Sequence, residues 1–544
     1  MARMKPLSDR ARQAIAHLQE ASRPLTPVLG IPGWTLSAIE ELSRCGEPQA
    51  IPVLASALIE GPREQMLAAA QAVGTLLSRL TEEELPSLDE WMRRAAGDEA
   101  WRRLTPQDLR RSGRPRDADA LLLQLASFHG NGFVREEAVR RLALIRHGGE
   151  LPYLLLRLND WVPQVRHAAS AAVLERLEPD GVDAFVKSLG LVDRLENARR
   201  ADHRGVLQGI SELLVNSAAR LPMVAAMSSP SKTIRRASFR LLTRGRPDDL
   251  LEIVTAALSV LDPIVRLWAV RAAATGLDRA HVRRALEALR ADRSALVRRE
   301  CLRQWVDLFP DEAVEALKTA LLDRNGVVRA EARYHLGKSS SLDVAAYYRD
   351  AITTSVAPTL VAALAGLGEM GWSPEDALRL APYLSHPLAK VRQTAVRYLL
   401  RLGGDQYLDA VAETVLDVSP SVSKQASKAL RSHIARVGPA WLGNALEAST
   451  VRHVRENLLD LSSALPKWES IVCLLRGVSD RDESLAARAL AGVTRWDAQY
   501  NVSQSSPSRD QLAALDATLT AAEAKLPPST AVSIRRAMRS FGPG

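Results

Sequence analysis

The sequence predicts an all-α fold, a right-handed α-solenoid of about 13 short helical hairpins. Two observations carry this prediction: a motif recurs about every 31 residues, and small apolar residues follow each copy at helical spacing. Composition agrees with both, since apolar residues make up 47% of the chain and aromatic residues only 4%. A core of alanine, leucine and valine suits close packing of helices.

The recurring motif is a turn residue, then six positions later an arginine directly preceded by valine, then small apolar residues. Its four best copies run from Asp160 to Arg166, from Asp292 to Arg298, from Asp323 to Arg329 and from His386 to Arg392. In the first copy the apolar positions Val165, Ala168 or Ala169, and Ala172 share one face of a helix. Each copy therefore predicts a helix with one buried face.

The arginine position can be followed along most of the chain. It is occupied by Arg135, Arg166, Arg235, Arg266, Arg298, Arg329, Arg392, Ser423, Arg455 and Arg488. The successive spacings are 31, 69, 31, 32, 31, 63, 31, 32 and 33 residues. Each long gap is close to two periods, and degenerate copies near Arg204 and Leu360 fill them. The array is therefore predicted to be continuous from Arg135 to Arg488.

A second landmark predicts another helix before the marked one. Gly46–Leu54 is similar to Gly149–Leu154, and each has a proline, Pro52 or Pro152, in the first turn. Proline is tolerated there because the first-turn N–H has no helical partner. A hairpin of about 31 residues cannot bury its apolar face alone, whereas stacked copies form a continuous core.

The motif resembles HEAT repeats of the short, bacterial kind, the type also found in phycobilin lyases. The resemblance covers roughly residues 35–496. It implies a solenoid fold, but HEAT proteins include scaffolds, transport receptors, lyases and DNA-binding enzymes, so the fold does not select a function. No chromophore is inferred from it.

The array divides the chain into three predicted regions. Residues 1–125 form an irregular helical region with at least one hairpin, near Arg63. Residues 126–496 form the regular array. Residues 497–544 form a polar loop followed by two capping helices, at about 510–525 and 528–540.

Charge and cysteine content argue against several kinds of protein. The net charge of +9 and the pI near 9.6 permit nucleic-acid binding without requiring it. The cysteines, Cys45, Cys301 and Cys473, are too scattered for a zinc site or a disulfide framework. The sequence shows no signal-like or membrane-spanning stretch and no phosphate-binding or metal-binding motif. We therefore predict a cytoplasmic protein without cofactor, metal or catalytic residues, and not bound to a membrane.

The repeated arginines have two interpretations, a structural ladder or a ligand-binding set. The structural one is favoured, because the best copies place an aspartate six residues before the arginine, where it could pair across or between turns. The predicted ladder members are Arg166, Arg266, Arg298, Arg329 and Arg392.

A basic strip is the main feature outside this ladder. Residues 235–303 hold 15 arginines against 8 acidic residues. Its candidate phosphate-binding and base-stacking residues are Arg235, Arg236, Arg283, Arg284, Arg293, Arg299, Arg303, Trp268 and Trp305. The alternative, which we favour, is a solvated outer face with two core tryptophans.

The predicted function is a non-catalytic scaffold that binds a partner protein. Binding residues are expected in the irregular stretches Trp91–Arg116, which include Trp101, and Arg194–Arg204, because repeats place insertions on a binding face. The alternative is nucleic-acid binding along the basic strip. Less favoured is a HEAT-like DNA glycosylase, which Trp305 and Asp307 imitate only weakly.

Overall fold

Every element of secondary structure in the described part of the chain is a helix. The computed structural model describes residues 8–21, 32–94, 99–111, 113–339, 341–356, 358–500 and 505–541. These residues form two compact units, 1–304 and 305–544. The predicted boundaries at residues 125 and 496 stay predictions.

In the first unit the helices are α1 (Asp9–Ala21), α2 (Pro32–Cys45), α3 (Ile51–Glu60), α4 (Arg63–Ser78), α5 (Leu85–Arg94), α6 (Glu99–Arg103), α7 (Pro106–Arg110), α8 (Arg116–Ala126), α9 (Gly132–Leu142), α10 (Leu151–Arg157), α11 (Pro163–Leu174), α12 (Val182–Lys187), α13 (Leu189–Leu195), α14 (Arg204–Val215), α15 (Arg220–Ala226), α16 (Lys232–Gly245), α17 (Leu250–Leu258), α18 (Pro263–Gly276) and α19 (Arg279–Leu289). The next helix, α20 (Ala295–Leu308), contains the boundary between the units.

In the second unit the helices are α21 (Pro310–Leu321), α22 (Gly326–Ser339), α23 (Val344–Thr354), α24 (Thr359–Glu369), α25 (Pro374–Leu380), α26 (Ala389–Gly403), α27 (Leu408–Glu413), α28 (Pro420–Leu430), α29 (Ile434–Val437), α30 (Pro439–Ala448), α31 (Arg452–Ser462), α32 (Lys467–Val478), α33 (Glu483–Ala498), α34 (Arg509–Ala522) and α35 (Pro528–Arg539). Short 3-10 turns lie at Pro48–Ala50, Pro179–Gly181, Ser217–Ala219, Pro247–Asp249, Ala381–Ser385, Gly404–Tyr407, Thr414–Leu416 and Glu523–Lys525.

Consecutive helices pack in pairs and the pairs stack on one another, which confirms the predicted α-solenoid of HEAT-type hairpins. In the first unit α10 packs on α11 and α17 on α18, while α9 packs on α11 and α16 on α18 from the neighbouring hairpin. In the second unit α23 packs on α24 and α30 on α31. There α24 contacts α26, α26 contacts α28, and α28 contacts α31. The degenerate copies near Arg204 and Leu360 begin α14 and α24.

The predicted buried face of the marked helices is also confirmed. Val165, Ala169 and Ala172 of α11 are buried, as are Val391 and Ala395 of α26. Proline stands in the first turn of α3 and of α10, as the sequence predicts. The buried apolar residues of the first unit form one continuous core, and α26 in the second unit buries the same face.

Helices lie in both of the less regular regions near the ends of the chain. The N-terminal hairpin near Arg63 is present as α3 and α4. The two expected C-terminal helices are α34 and α35, while residues 501–504 of the predicted loop lie outside the described residues. No helix in the described ranges is long and apolar enough to span a bilayer.

Candidate functional site

An arginine and aspartate ladder joins successive hairpins. Arg266 shows the geometry: its Nη1 donates to the main-chain oxygens of Val260 and Leu261, at 2.6 and 2.9 Å, in its own turn. Its Nε and Nη2 donate to the two carboxylate oxygens of Asp292 in the next turn, at 2.7 and 2.9 Å. That carboxylate also accepts the main-chain N–H of Ser294, at 2.7 Å, in the turn just before α20. One arginine thus fixes two turns.

The other members repeat this arrangement with variations. The pairs Arg135 with Asp160 and Arg392 with Asp417 have the same form. Arg455 donates through Nε and Nη2 to a single carboxylate oxygen of Asp480. The residue six positions before each arginine gives it a main-chain oxygen, and before Arg166 and Arg298 that residue is an aspartate. The carboxylates of these two aspartates, Asp160 and Asp292, bind Arg135 and Arg266.

Three predicted members differ in detail. Arg298 donates to the main-chain oxygen of Asp292, at 2.6 Å. Arg329 does the same to Asp323, at 2.7 Å, and its carboxylate partner is Glu369. Arg166 donates to the main-chain oxygens of Asp160 and Trp161, at 2.7 and 3.1 Å, and no described carboxylate lies within 4.0 Å of it.

The basic strip does not present a row of free cations. Arg235 and Arg236 both bind Asp262, Arg240 binds Asp193, and Arg271 binds Glu300. Arg284 and Arg293 are exposed, whereas Arg283, Arg299 and Arg303 are partly buried. Arg235 and Arg236 therefore do not offer unpaired guanidinium groups to a phosphate backbone.

The predicted aromatic anchors divide between core and surface. Trp268 is half-buried and stacks on Phe239, with ring centroids 6.3 Å apart, and Trp305 lies 5.3 Å from Phe309. Trp101 is only 2% exposed and packs edge-on against His129, so it belongs to the core and cannot be a binding anchor. Trp91 is partly exposed and donates to the main-chain oxygen of Gln49, at 3.4 Å.

A segment that we call the strap, Thr81–Arg94, crosses the first unit instead of stacking as a repeat. Its residues contact parts of the chain far away in sequence: Glu83 accepts hydrogen bonds from Ser231 and Thr233, and Asp89 accepts one from Arg157. The sequence separations of these contacts, 148, 150 and 68 residues, exceed one repeat period. In a simple solenoid each hairpin contacts only its neighbours, so the strap is a specific feature of this chain.

An open cleft of about 520 Å³ lies between the strap, α10 and α13. It is lined by Pro86, Asp89, Glu90, Arg93, Arg94, Leu155, Leu156, Arg157, Asn159, Asp160, Trp161, Leu191, Arg194, Leu195, Ala198 and Arg200. The two stretches in which the sequence predicts binding residues, Trp91–Arg116 and Arg194–Arg204, both contribute to it. The sequence did not predict that they meet.

The floor of the cleft is a buried cluster of charges. Arg135 and Asp160 are fully buried, and Arg157 is 2% exposed. Asp160 accepts hydrogen bonds from Nε and Nη2 of Arg135, at 3.0 and 2.8 Å, and from Nη1 of Arg157, at 3.1 Å. The Nη2 of Arg157 donates to Asp89. Burial alone would raise the pKa of Asp160, but the hydrogen bond from Arg135 and the charge of Arg157 hold that pKa below its ordinary value.

Trp161 stands above this floor and was missed as a binding candidate. Its side chain is 57% exposed, and the guanidinium carbons of Arg93 and Arg135 lie 4.9 and 5.4 Å from its ring. Its main-chain oxygen accepts from Arg166 of the ladder, at 3.1 Å. The indole is therefore held in place while remaining accessible, an arrangement that a turn position in the sequence does not reveal.

The rim opposite the strap is basic. Arg200 donates through its main-chain N–H and its Nη1 to Asn159, at 3.2 and 3.3 Å, which fixes this loop against α10. Arg194 and Arg200 are both exposed, and no described carboxylate forms an ion pair with either. These two cations are available to a ligand.

The strap carries a partly buried acid, Glu82, whose charge depends on pH near neutrality. Glu82 lies beside Ser188 and Gly190, and its Oε2 is buried with no hydrogen-bond partner among the described residues. Burial raises the pKa of Glu82 to about 7. Because the ordinary value is 4.5, the unfolded chain releases this proton first, and the folded state loses stability as pH rises from about 4.5 towards 7.

We expect this loss to amount to about 2 kcal/mol between about pH 5.5 and pH 8. Urea unfolding of wild type and Glu82→Gln at both pH values measures it, since the variant should lack this part of the pH dependence. Glu64→Gln, which changes an exposed glutamate of α4, should behave as wild type. Equal pH dependence in wild type and Glu82→Gln would contradict the assignment.

Comparison with known proteins gives structural similarity only. No protein-family model matches the chain, and no curated protein matches its sequence. Among solved structures, 187 chains match.

Importin beta in an ammonium sulfate condition has a TM-score of 0.40 and 12% identity, over 93% of this chain and 82% of that one. Kap121p bound to Pho4p has a TM-score of 0.34 and 11% identity, over 90% and 64%. Kap95p, in a structure with RanGDP, has a TM-score of 0.32 and 11% identity, over 98% and 84%. No partner of these proteins is assigned to this chain.

Proposed function

We propose that the protein is a non-catalytic HEAT-repeat scaffold that holds a partner protein, and that the partner binds in the cleft of the first unit. The observation that carries the proposal is Trp161, an exposed indole with the guanidinium groups of Arg93 and Arg135 against its ring, beside a buried charge cluster. Tryptophan and arginine are the residues most enriched among those that dominate binding energy in protein interfaces.

Rigidity of the site supports the same proposal. The main chain of Trp161 is bound by Arg166, and the neighbouring Asp160 is held by Arg135 and Arg157. A preformed site loses little conformational entropy when a partner binds. The ladder thus contributes to binding indirectly, because it fixes the turn that presents the indole.

Affinity purification from native lysate, with nuclease and mass spectrometry, tests the proposal. Wild type should retain a protein partner after nuclease treatment. Trp161→Ala should lose at least about tenfold of it, since truncating a dominant interface residue costs about 2 kcal/mol or more. Trp372→Ala, which removes an exposed tryptophan from the second unit, is the matched control and should retain the partner.

Two results would contradict the proposal. One is equal recovery of all partners by wild type and Trp161→Ala. The other is recovery of nucleic acid alone, lost at moderate salt, because steep salt dependence is typical of binding to a phosphate backbone. The second result would favour the predicted alternative function on the basic strip.

A further inference from the structure

We infer that the segment recognised by the cleft is acidic, a short stretch of a partner protein with several aspartate or glutamate residues. The inference rests on the proposed function, because it names the chemistry of the partner at that same cleft.

Cations outnumber anions at the cleft. Six arginines stand in or directly behind its walls, namely Arg93, Arg94, Arg135, Arg157, Arg194 and Arg200, against three carboxylates, Asp89, Glu90 and Asp160. All three carboxylates are already bound within the cluster, Asp89 and Asp160 by the floor arginines and Glu90 by Arg94. The excess positive charge is therefore located on the rim, at Arg194 and Arg200.

The floor also has an unused donor. The Nε of Arg157 is buried and has no hydrogen-bond acceptor among the described residues. A buried donor without an acceptor is unfavourable, so an oxygen atom that reaches it would gain a charge-assisted hydrogen bond. At the rim, the exposed guanidinium groups of Arg194 and Arg200 thus favour a ligand that brings acceptor oxygens.

A carboxylate-bearing peptide fits this arrangement better than a nucleic acid does. Sequence-tolerant nucleic-acid binding needs a positively charged groove that follows the backbone. In the first unit the arginines outside the cleft that could form one are largely bound, as Arg235 and Arg236 are by Asp262. The cations of the cleft that form no ion pair are confined to this one site, and carboxylates match guanidinium groups in geometry. Trp161 then offers a flat apolar surface to the aliphatic part of the segment.

Fluorescence anisotropy with labelled hexaglutamate, on the full chain at low ionic strength, tests the inference. Wild type should bind hexaglutamate and not hexalysine. The double variant Arg194→Glu/Arg200→Glu should bind on the order of tenfold more weakly, because two exposed attractive pairs are replaced by two repulsive ones. Circular dichroism checks that the variant keeps its helices.

The matched control is Arg244→Glu/Arg290→Glu, the same charge change on two exposed arginines of the first unit that lie outside the cleft. It should bind within about twofold of wild type. Equal weakening by both double variants would overturn the inference, since it would show only the effect of net charge. Tighter binding of inorganic phosphate or a single-stranded oligonucleotide in competition with hexaglutamate would also overturn it.

Binding of a partner protein in the cleft and the acidic chemistry of the bound segment can be contradicted separately. If Trp161→Ala loses the partner while wild type does not bind hexaglutamate, the cleft binds a partner and its acidic chemistry is wrong. Hexaglutamate could instead bind in the cleft while wild type and Trp161→Ala recover the partner equally. The preference of the cleft for acidic ligands would then be supported, and the proposed function would be contradicted.

Discussion

Asp160→Ala is expected to lower the free energy of unfolding of the first unit by about 3–5 kcal/mol, the largest effect of any single substitution considered. The variant leaves Arg135 and Arg157, both essentially inaccessible to solvent, with one fewer anion between them. It also removes the acceptor of the Val162 N–H at the start of α11. A buried charge without its partner is costly because it has lost its hydration.

Hydrogen exchange measures this effect locally. The amides of α9 and α11 should lose protection by a factor of about a hundred or more in Asp160→Ala. Asp460→Ala is the matched control, since Asp460 and its partner Arg488 are 42% and 50% exposed. Exposed pairs contribute about 1 kcal/mol or less, and similar losses in both variants would contradict the role assigned to burial.

Asp89→Ala is expected to cost about 2–4 kcal/mol and to release the strap. Asp89 is the strap residue that binds Arg157, and it also binds Arg93 at 2.9 Å. Without it the buried Arg157 shares Asp160 with Arg135, and the strap loses its attachment to α10. Hydrogen exchange of residues 85–94 should rise steeply, whereas exchange in the second unit should not change.

Glu90→Ala separates this effect from a general weakening of α5. Glu90 is the next residue of the same helix, and its partner Arg94 is largely exposed. The control should change the stability by about 0.5 kcal/mol or less. If Glu90→Ala releases the strap as readily as Asp89→Ala does, the attachment to Arg157 does not hold the strap.

The regular array could be predicted because its signals are local. An aspartate and an arginine six residues apart, with small apolar residues after them, specify a turn and a helix wherever they occur. Arg329 is an exception: it binds Glu369, at the end of α24, because the turn of the degenerate repeat that follows Arg329 has no aspartate. A carboxylate supplied by another helix cannot be recognised from the residue at the turn position.

The cleft could not be predicted because its contacts are not local. The strap binds residues 68 to 150 positions away, and no periodic pattern encodes which irregular stretches meet. Trp161 occupies an ordinary turn position, and only the fold shows that arginines flank it. The sequence indicates both walls of the cleft as irregular stretches. Trp101, one of the binding residues predicted there, is buried in the fold.

Photo-crosslinking from the cleft tests the central claim most directly. Replacing Trp161 with p-benzoylphenylalanine puts the crosslinking group at the proposed contact, and the same replacement of Trp372 provides the control in the second unit. Crosslinks from position 161 to an acidic segment of one protein, absent from position 372, are the expected result. Crosslinks of equal yield from both positions, or none from position 161 to any protein, would contradict the account.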